Sequence, residues 1–201
     1  MTGPPKELFP YVLDFCRSIC PESTPFYIAV TAEVKDRPVE CVWNVRRRID
    51  SDGGEAVLGW KIWEWYGVMI ESEFHMLWRM SDGRLMDVTP NVIPAERVLF
   101  LPDPSLTYTE AQVNNVRRPL IDDKRVVEFI ALADEKFRIH NAGDRARQYE
   151  IHLTPAEARR LGEIEERSIA LQLELSQTVP GRNDLCRCGS GKKYKRCCER
   201  N

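Results

Sequence analysis

The chain has 201 residues, is 43% hydrophobic and 30% charged, and carries a net charge of −2. That composition belongs to a folded chain of one ordinary domain plus something small. No apolar run reaches the ~20 residues of a membrane helix, and the opening MTGPPKELFPYVLDFC lacks the basic start and cleavage site of a secretory leader, so a cytoplasmic protein with no membrane partner is expected.

Residues 10–20 read as a short helix, because Val12, Phe15, Cys16 and Ile19 recur on one face. Cys16 and Cys20, one turn apart, read as buried thiols. Residues 26–30 read as a strand. Residues 40–49 have helical character, with Val42, Val45 and Ile49 on one face, Arg46 to Arg48 solvated, and Gly53-Gly54 as the stop. Residues 57–66 and 68–80 are β-rich and aromatic; Ser81-Asp82-Gly83 is a hairpin turn, and residues 85–89 return as a strand. All five tryptophans lie between Trp43 and Trp78, and most are expected to form the core of a small sheet. Beyond Pro104 the character changes, and residues 124–136 and 155–176 are helical. Thr154-Pro155-Ala156-Glu157 combines a capping box with proline at the first helical position.

Four of the seven cysteines fall in CRCGSGKKYKRCC, residues 186–198. In a reducing compartment clustered thiols more often bind metal than form disulfides. Cys186 and Cys188 flank one residue, Gly189-Ser190-Gly191 permits a tight reversal, and a basic return delivers Cys197 and Cys198. Four thiolates suit the tetrahedral preference of one structural Zn²⁺, and the neighbouring cations favour the thiolate form. Residues 181–201 hold seven Lys and Arg against two acids, a net +5, whereas the rest of the chain holds 22 against 29, a net −7. A basic tag on an acidic body suggests docking to an acidic partner, protein or RNA. The acidic body speaks against a wide phosphate-binding surface, which ranks nucleic acid last.

Taken whole, the string from the Arg182-Asn-Asp lead-in through the Gly-Ser-Gly turn to Lys192-Lys-Tyr-Lys195 resembles the SEC-C motif, the zinc tail of the SecA family. Cys198 stands where that tail often has His. The resemblance implies a zinc-binding docking module that contacts acidic partners, in that family an export chaperone and the ribosome. It names no activity for the body.

A helix, a strand and a returning strand carry Cys41, His75 and Asp87 in that order. Cys41 lies near a helix start, where the dipole favours a thiolate; a cysteine nucleophile needs a base, and the base an orienting carboxylate. Strand side chains alternate faces. A two-residue Asp82-Gly83 turn would place Asp87 opposite Trp78, on the other face from His75. A three-residue loop with Gly83 left-handed would pair Met80 with Arg84 and set His75 and Asp87 as diagonal neighbours on one face. Glu71 and Glu73 are rival orienting groups. The second oxyanion donor cannot be named from the residues, unless an unwound helix start frees Asn44 or Trp43. The bland reading makes Cys41 a core thiol, His75 a backbone-bonded core histidine and Asp87 a cap for the Thr89-Pro90 turn.

This order, with Gly59-Trp60, His75-Met-Leu-Trp78 and Asp87-Val-Thr-Pro90, resembles the transglutaminase-like, papain-related superfamily. The expected architecture is therefore α+β: a transglutaminase-like domain with an antiparallel sheet at 1–102, a helical segment at 103–178, and the SEC-C zinc module at 179–201. The resemblance implies a cysteine-dependent hydrolase or acyl-transferase acting on a peptide or amide bond. The alternative is a non-catalytic adaptor that docks through the zinc tail.

Overall fold

The structure is a computed structural model that describes residues 2–33, 35–148 and 150–200. Its fold is α+β, with an antiparallel sheet and four α-helices among the described residues. The chain divides into two compact units, Met1–Tyr66 with Ile70–Thr107, and Gly67–Met69 with Tyr108–Asn201.

The first unit holds β1 (Thr2–Gly3), α1 (Pro10–Ile19), β2 (Phe26–Ala29), α2 (Cys41–Asp52), β3 (Glu55–Trp65), β4 (Met69–Arg79), β5 (Leu85–Met86) and β6 (Arg97–Pro102). The strand order is β2-β6-β3-β4-β5, with β1 on β3. Beyond β5 the sheet curls back on itself: Val30, just after β2, bridges Asp87, and Thr31 N donates to Asp87 O at 2.8 Å. A curled sheet has an inner and an outer face, and both can be covered. Phe26 and Phe100 pair across β2 and β6, and Phe100 pairs with Lys61 across β6 and β3. Those side chains share one face. Cys41 and Val45 of α2 pack with Met76, Trp78 and Val88. Gly53 ends α2 at φ 73, a left-handed turn that glycine accepts freely.

β6 is the main element that periodicity did not reveal. Val98, Leu99, Phe100 and Leu101 are all fully buried, because β6 lies between two neighbours in a curled sheet. A strand covered on both faces shows no polar alternation. A second correction concerns the arginines of α2, expected to be solvated. Arg48 is buried; it pairs with Glu33 Oε1 at 2.7 Å and with the buried Asp36 at 3.4 Å, and Arg47 also binds Asp36. The bonds tie the segment that precedes Cys41 to the helix that follows it.

The second unit holds β7 (Val116–Pro119), α3 (Lys124–His140), α4 (Pro155–Gln177) and the cysteine-rich segment with its short 3-10 turns. α3 and α4 pack through Leu132, Ile164 and Leu171, flanked by Phe129, Ile139 and Leu161. Arg160–Glu135 and Arg167–Glu128 lie along this seam. The start of α4 is fixed by the capping box: Glu157 N donates to Thr154 Oγ1 at 3.2 Å and Thr154 N to Glu157 Oε2 at 2.8 Å. At its other end Arg187 donates to the carbonyl of Leu175, which seats the cysteine segment against α4.

Candidate functional site

The β4–β5 connection decides whether His75 and Asp87 meet. Gly83 N donates to Met80 O and Met80 N to Arg84 O, both at 2.9 Å, with Gly83 at φ 87. Trp78 pairs with Met86 and Arg79 with Leu85. This is the three-residue loop, so Asp87 lies beside Leu77 and diagonal to His75. His75 Nε2 donates to Asp87 Oδ1 at 3.0 Å, and both residues are buried. Cys41 lies close enough to the imidazole for its side chain to favour the protonated form of His75. Cys41 is the first residue of α2 and is 7% exposed. The structure thus brings all three residues together.

The electrostatics of His75 follow from opposing forces. Burial alone would lower its pKa; the Asp87 carboxylate overrides this and, against a smaller opposing effect of Lys61, holds it at about 9. The imidazole therefore keeps its proton at neutral pH. Of the two rival carboxylates, Glu73 is occupied elsewhere: it accepts from Trp63 Nε1 at 2.9 Å and lies 3.8 Å from Lys61 Nζ. Asp87 also accepts from Thr89 N at 3.0 Å, so it caps its turn as well as holding the histidine.

The segment before Cys41 is strained and clamped. Val39 sits at φ 58, a left-handed conformation that a β-branched residue adopts only when its surroundings impose it. Val39 N donates to Pro90 O, and Asn44 holds both the N–H and the carbonyl of Arg37 while reaching Thr89 Oγ1. Asn44 is therefore fully used, and α2 starts regularly at Cys41. Neither condition for Asn44 or Trp43 as oxyanion donor is met. Sequence reasoning also passed over Lys61, a lysine only 2% exposed in the middle of β3, and Asn91, which accepts from its ammonium at 2.9 Å. A lysine set among tryptophans in VLGWKIWEW was the available signal.

In the second unit, the Sγ atoms of Cys186, Cys188, Cys197 and Cys198 all lie within 4.8 Å of one another. Four thiolates 2.3 Å from one Zn²⁺ would be about 3.8 Å apart, so the cluster fits a single ion. Cys188 and Cys197 are 3.5 Å apart, and all four cysteines are free. The local chain builds the knuckle: Cys186 N donates to Lys192 O at 2.8 Å, Gly189 N to Cys186 O at 3.2 Å, and Gly189 and Gly191 are left-handed. A hydrogen bond from Ser190, then bonds from neighbouring thiols, lower the Cys188 thiol to about 6. The fourth proton is the hardest to remove: thiols already sharing charge push Cys198 up to about 12. A cation at the centre would relieve that repulsion.

The SEC-C motif model matches residues 182–200. A UPF0225 protein of Serratia proteamaculans is 32% identical over 101 residues, covering 46% of this chain and 66% of that protein. Protein translocase subunit SecA 1 of Chlorobium chlorochromatii is 74% identical over 23 residues, 11% of this chain and 2% of that protein. The SecA of Sulfurimonas denitrificans is 30% identical over 96 residues, 48% of this chain and 11% of its own length. The chain therefore spans just under two thirds of the first of these relatives and a small part of the others. No solved structure matches the chain. By motif match, relatives and thiol geometry, this chain carries a SEC-C motif at residues 182–200 with four cysteines placed to hold one metal ion.

Proposed function

We propose that the first unit is a cysteine-dependent amide hydrolase or acyl-transferase of transglutaminase-like type, docked to an acidic protein surface or the ribosome by a zinc-bound SEC-C tail. The observation that carries the reading is the chain of contacts from Cys41 through His75 to Asp87. A buried thiol that served only as filler would need neither a histidine holding a proton nor a carboxylate behind it.

The chemistry follows from the proton's position. The Cys41 thiolate, its proton held on His75, attacks the carbonyl carbon of the scissile amide, and the C–N bond breaks as His75 passes that proton to the leaving amine. Water, or an acceptor amine, then attacks the Cys41 thioester while His75 takes a proton from it, and the thiolate beside the protonated imidazole is regenerated. The Cys41 backbone N–H, at a helix start with no helical acceptor, is one donor for the oxyanion. Asp87 keeps the imidazole in register and stabilises its charged form.

Zinc is the ion that four thiolates and the SEC-C match favour; Cys186, Cys188, Cys197 and Cys198 would hold it, and it would fold the tail rather than take part in the reaction. Lys192, Lys193, Lys195 and Arg196 then present a basic surface from a fixed loop.

The test is acyl capture. The full chain is incubated with a panel of peptide thioesters and anilides, and intact mass is followed by peptide mapping. The expected result is an acyl adduct on Cys41 that is absent in Cys41→Ser and at least about 100-fold slower in His75→Ala. No adduct from any acyl donor would leave the adaptor reading in its place.

A further inference from the structure

Lys61 is 2% exposed, yet its ammonium makes one hydrogen bond among the described residues, to Asn91 Oδ1 at 2.9 Å. Glu73 Oε2, at 3.8 Å, is too far to accept a proton from it. An ammonium carries three N–H donors; the Trp63 ring lies 5.4 Å from it, and beyond Asn91 it has no short oxygen or nitrogen acceptor among the described residues. On the other side of that bond, the Asn91 Nδ2 amide is buried and has no hydrogen-bond partner among the described residues. Two adjoining side chains therefore offer up to four N–H donors without an oxygen or nitrogen acceptor, in a buried region where an unfilled donor is destabilising. Donors collected without acceptors are the mark of a place where an acceptor binds.

That place adjoins the cysteine site. Phe100, which pairs with Lys61, sets its ring 6.3 Å from the His75 ring, edge on. The Lys61 charge is near enough to oppose protonation of His75. A positive charge beside a base that must hold a proton disfavours that proton. Glu73, at 3.8 Å, already offsets part of the Lys61 charge, and a negative group arriving with the substrate would offset more.

We propose that Lys61 and Asn91 form a carboxylate-binding cradle beside Cys41, so that the substrate of this site carries a carboxylate next to the amide that is cleaved or transferred. A carboxylate supplies acceptors and no donors, which matches the surplus, and its charge offsets Lys61 when the substrate is bound. The inference rests on the proposed role of Cys41 and adds the class of substrate. Chain-terminal and side-chain carboxylates share the chemistry.

The test needs no identified substrate. Iodoacetate and iodoacetamide differ in one respect, the carboxylate, and both alkylate thiolates. On the zinc-loaded full chain at neutral pH, the ratio of iodoacetate to iodoacetamide rates at Cys41 is expected to exceed that of glutathione in the same buffer by about tenfold. Lys61→Met should bring the ratio down to the glutathione value, and Asn91→Ala should lower it several-fold, with native circular dichroism as the check on folding. The wild-type ratio is decisive even if both variants misfold. A ratio equal to that of glutathione, with Cys41 still reacting quickly, overturns the cradle and leaves the cysteine site standing. A Cys41 that reacts with neither reagent overturns both. Protection of Cys41 by N-acetylglycine but not by N-acetylaspartic acid α-amide, whose one carboxylate is on the side chain, would support a terminal carboxylate, and the reverse a side-chain one; protection by both supports the shared chemistry. Protection by neither at 100 mM overturns the cradle.

Discussion

At the scale of single residues, the His75 proton is coupled to the stability of the first unit. Its folded-state pKa is about 9, against roughly 6.5 for an unfolded histidine. A raised value means that the protonated form is favoured by folding. The stabilisation is complete below about pH 6.5 and is lost as pH rises through 9. The gap corresponds to about 3 kcal/mol. Urea unfolding of the full chain at pH 6.5 and 9.5 should show a loss of this order, and His75→Gln should flatten the slope; an equal slope in that variant would place the pH dependence elsewhere. Asp87→Asn removes the charge that holds the proton and leaves Thr89 N an acceptor. The alkylation rate of Cys41 at pH 6 should then fall by more than about tenfold while the fold survives.

At the scale of elements, close approach of backbones limits what β3 can carry. A Cβ on Gly59 would meet Leu101 O at 2.3 Å and the Phe100 ring at 2.6 Å, so β3 and β6 would have to part. Gly59→Ala should cost about 1–3 kcal/mol in the first unit and displace the Phe100 ring that packs on His75, read as a lower denaturation midpoint and slower Cys41 alkylation. Thr154→Ala should cost about 1 kcal/mol, through the loss of one cap, and shift only the unfolding of the second unit. An effect of Thr154→Ala on Cys41 alkylation would contradict that assignment. Both helices of the second unit and the capping box were legible, since caps and an amphipathic stripe are local signals. The hairpin was legible only as a choice between two turns, and Gly83 at its left-handed position decides it, turning His75 and Asp87 to one face. β6 was not, because burial on both faces erases alternation. Lys61 and Arg48 were not either. A charged residue reads as solvated unless its partners are known, and Glu33, Asp36 and Asn91 come from distant segments.

At the scale of the whole molecule, the proposed function joins two chemistries that share only their dependence on thiolates. The body is acidic and carries Cys41; the tail is basic and carries four cysteines. The string 186–198 announced its four-cysteine cluster, because residues close in sequence build it and long-range folding has little to add. Oxidation of the tail would disorder it, whereas one bound ion should protect all four thiols. Purified under reducing conditions, the chain should contain one zinc per molecule by elemental analysis. Chelation should make the four thiols titratable and abolish amide-exchange protection across 182–200. Full protection of that segment without metal would show that its backbone bonds suffice.

The central claim is that Cys41 is an activated nucleophile rather than a packed thiol. The measurement that tests it most directly is the alkylation rate of Cys41 against pH on the native, zinc-loaded chain, assigned by peptide mass spectrometry. Expected is rapid modification well below the ordinary thiol titration near 8.5, lost in His75→Ala. A Cys41 that reacts no faster than Cys16 or Cys20, or only after unfolding, would contradict the account and return the first unit to the role of an inert scaffold.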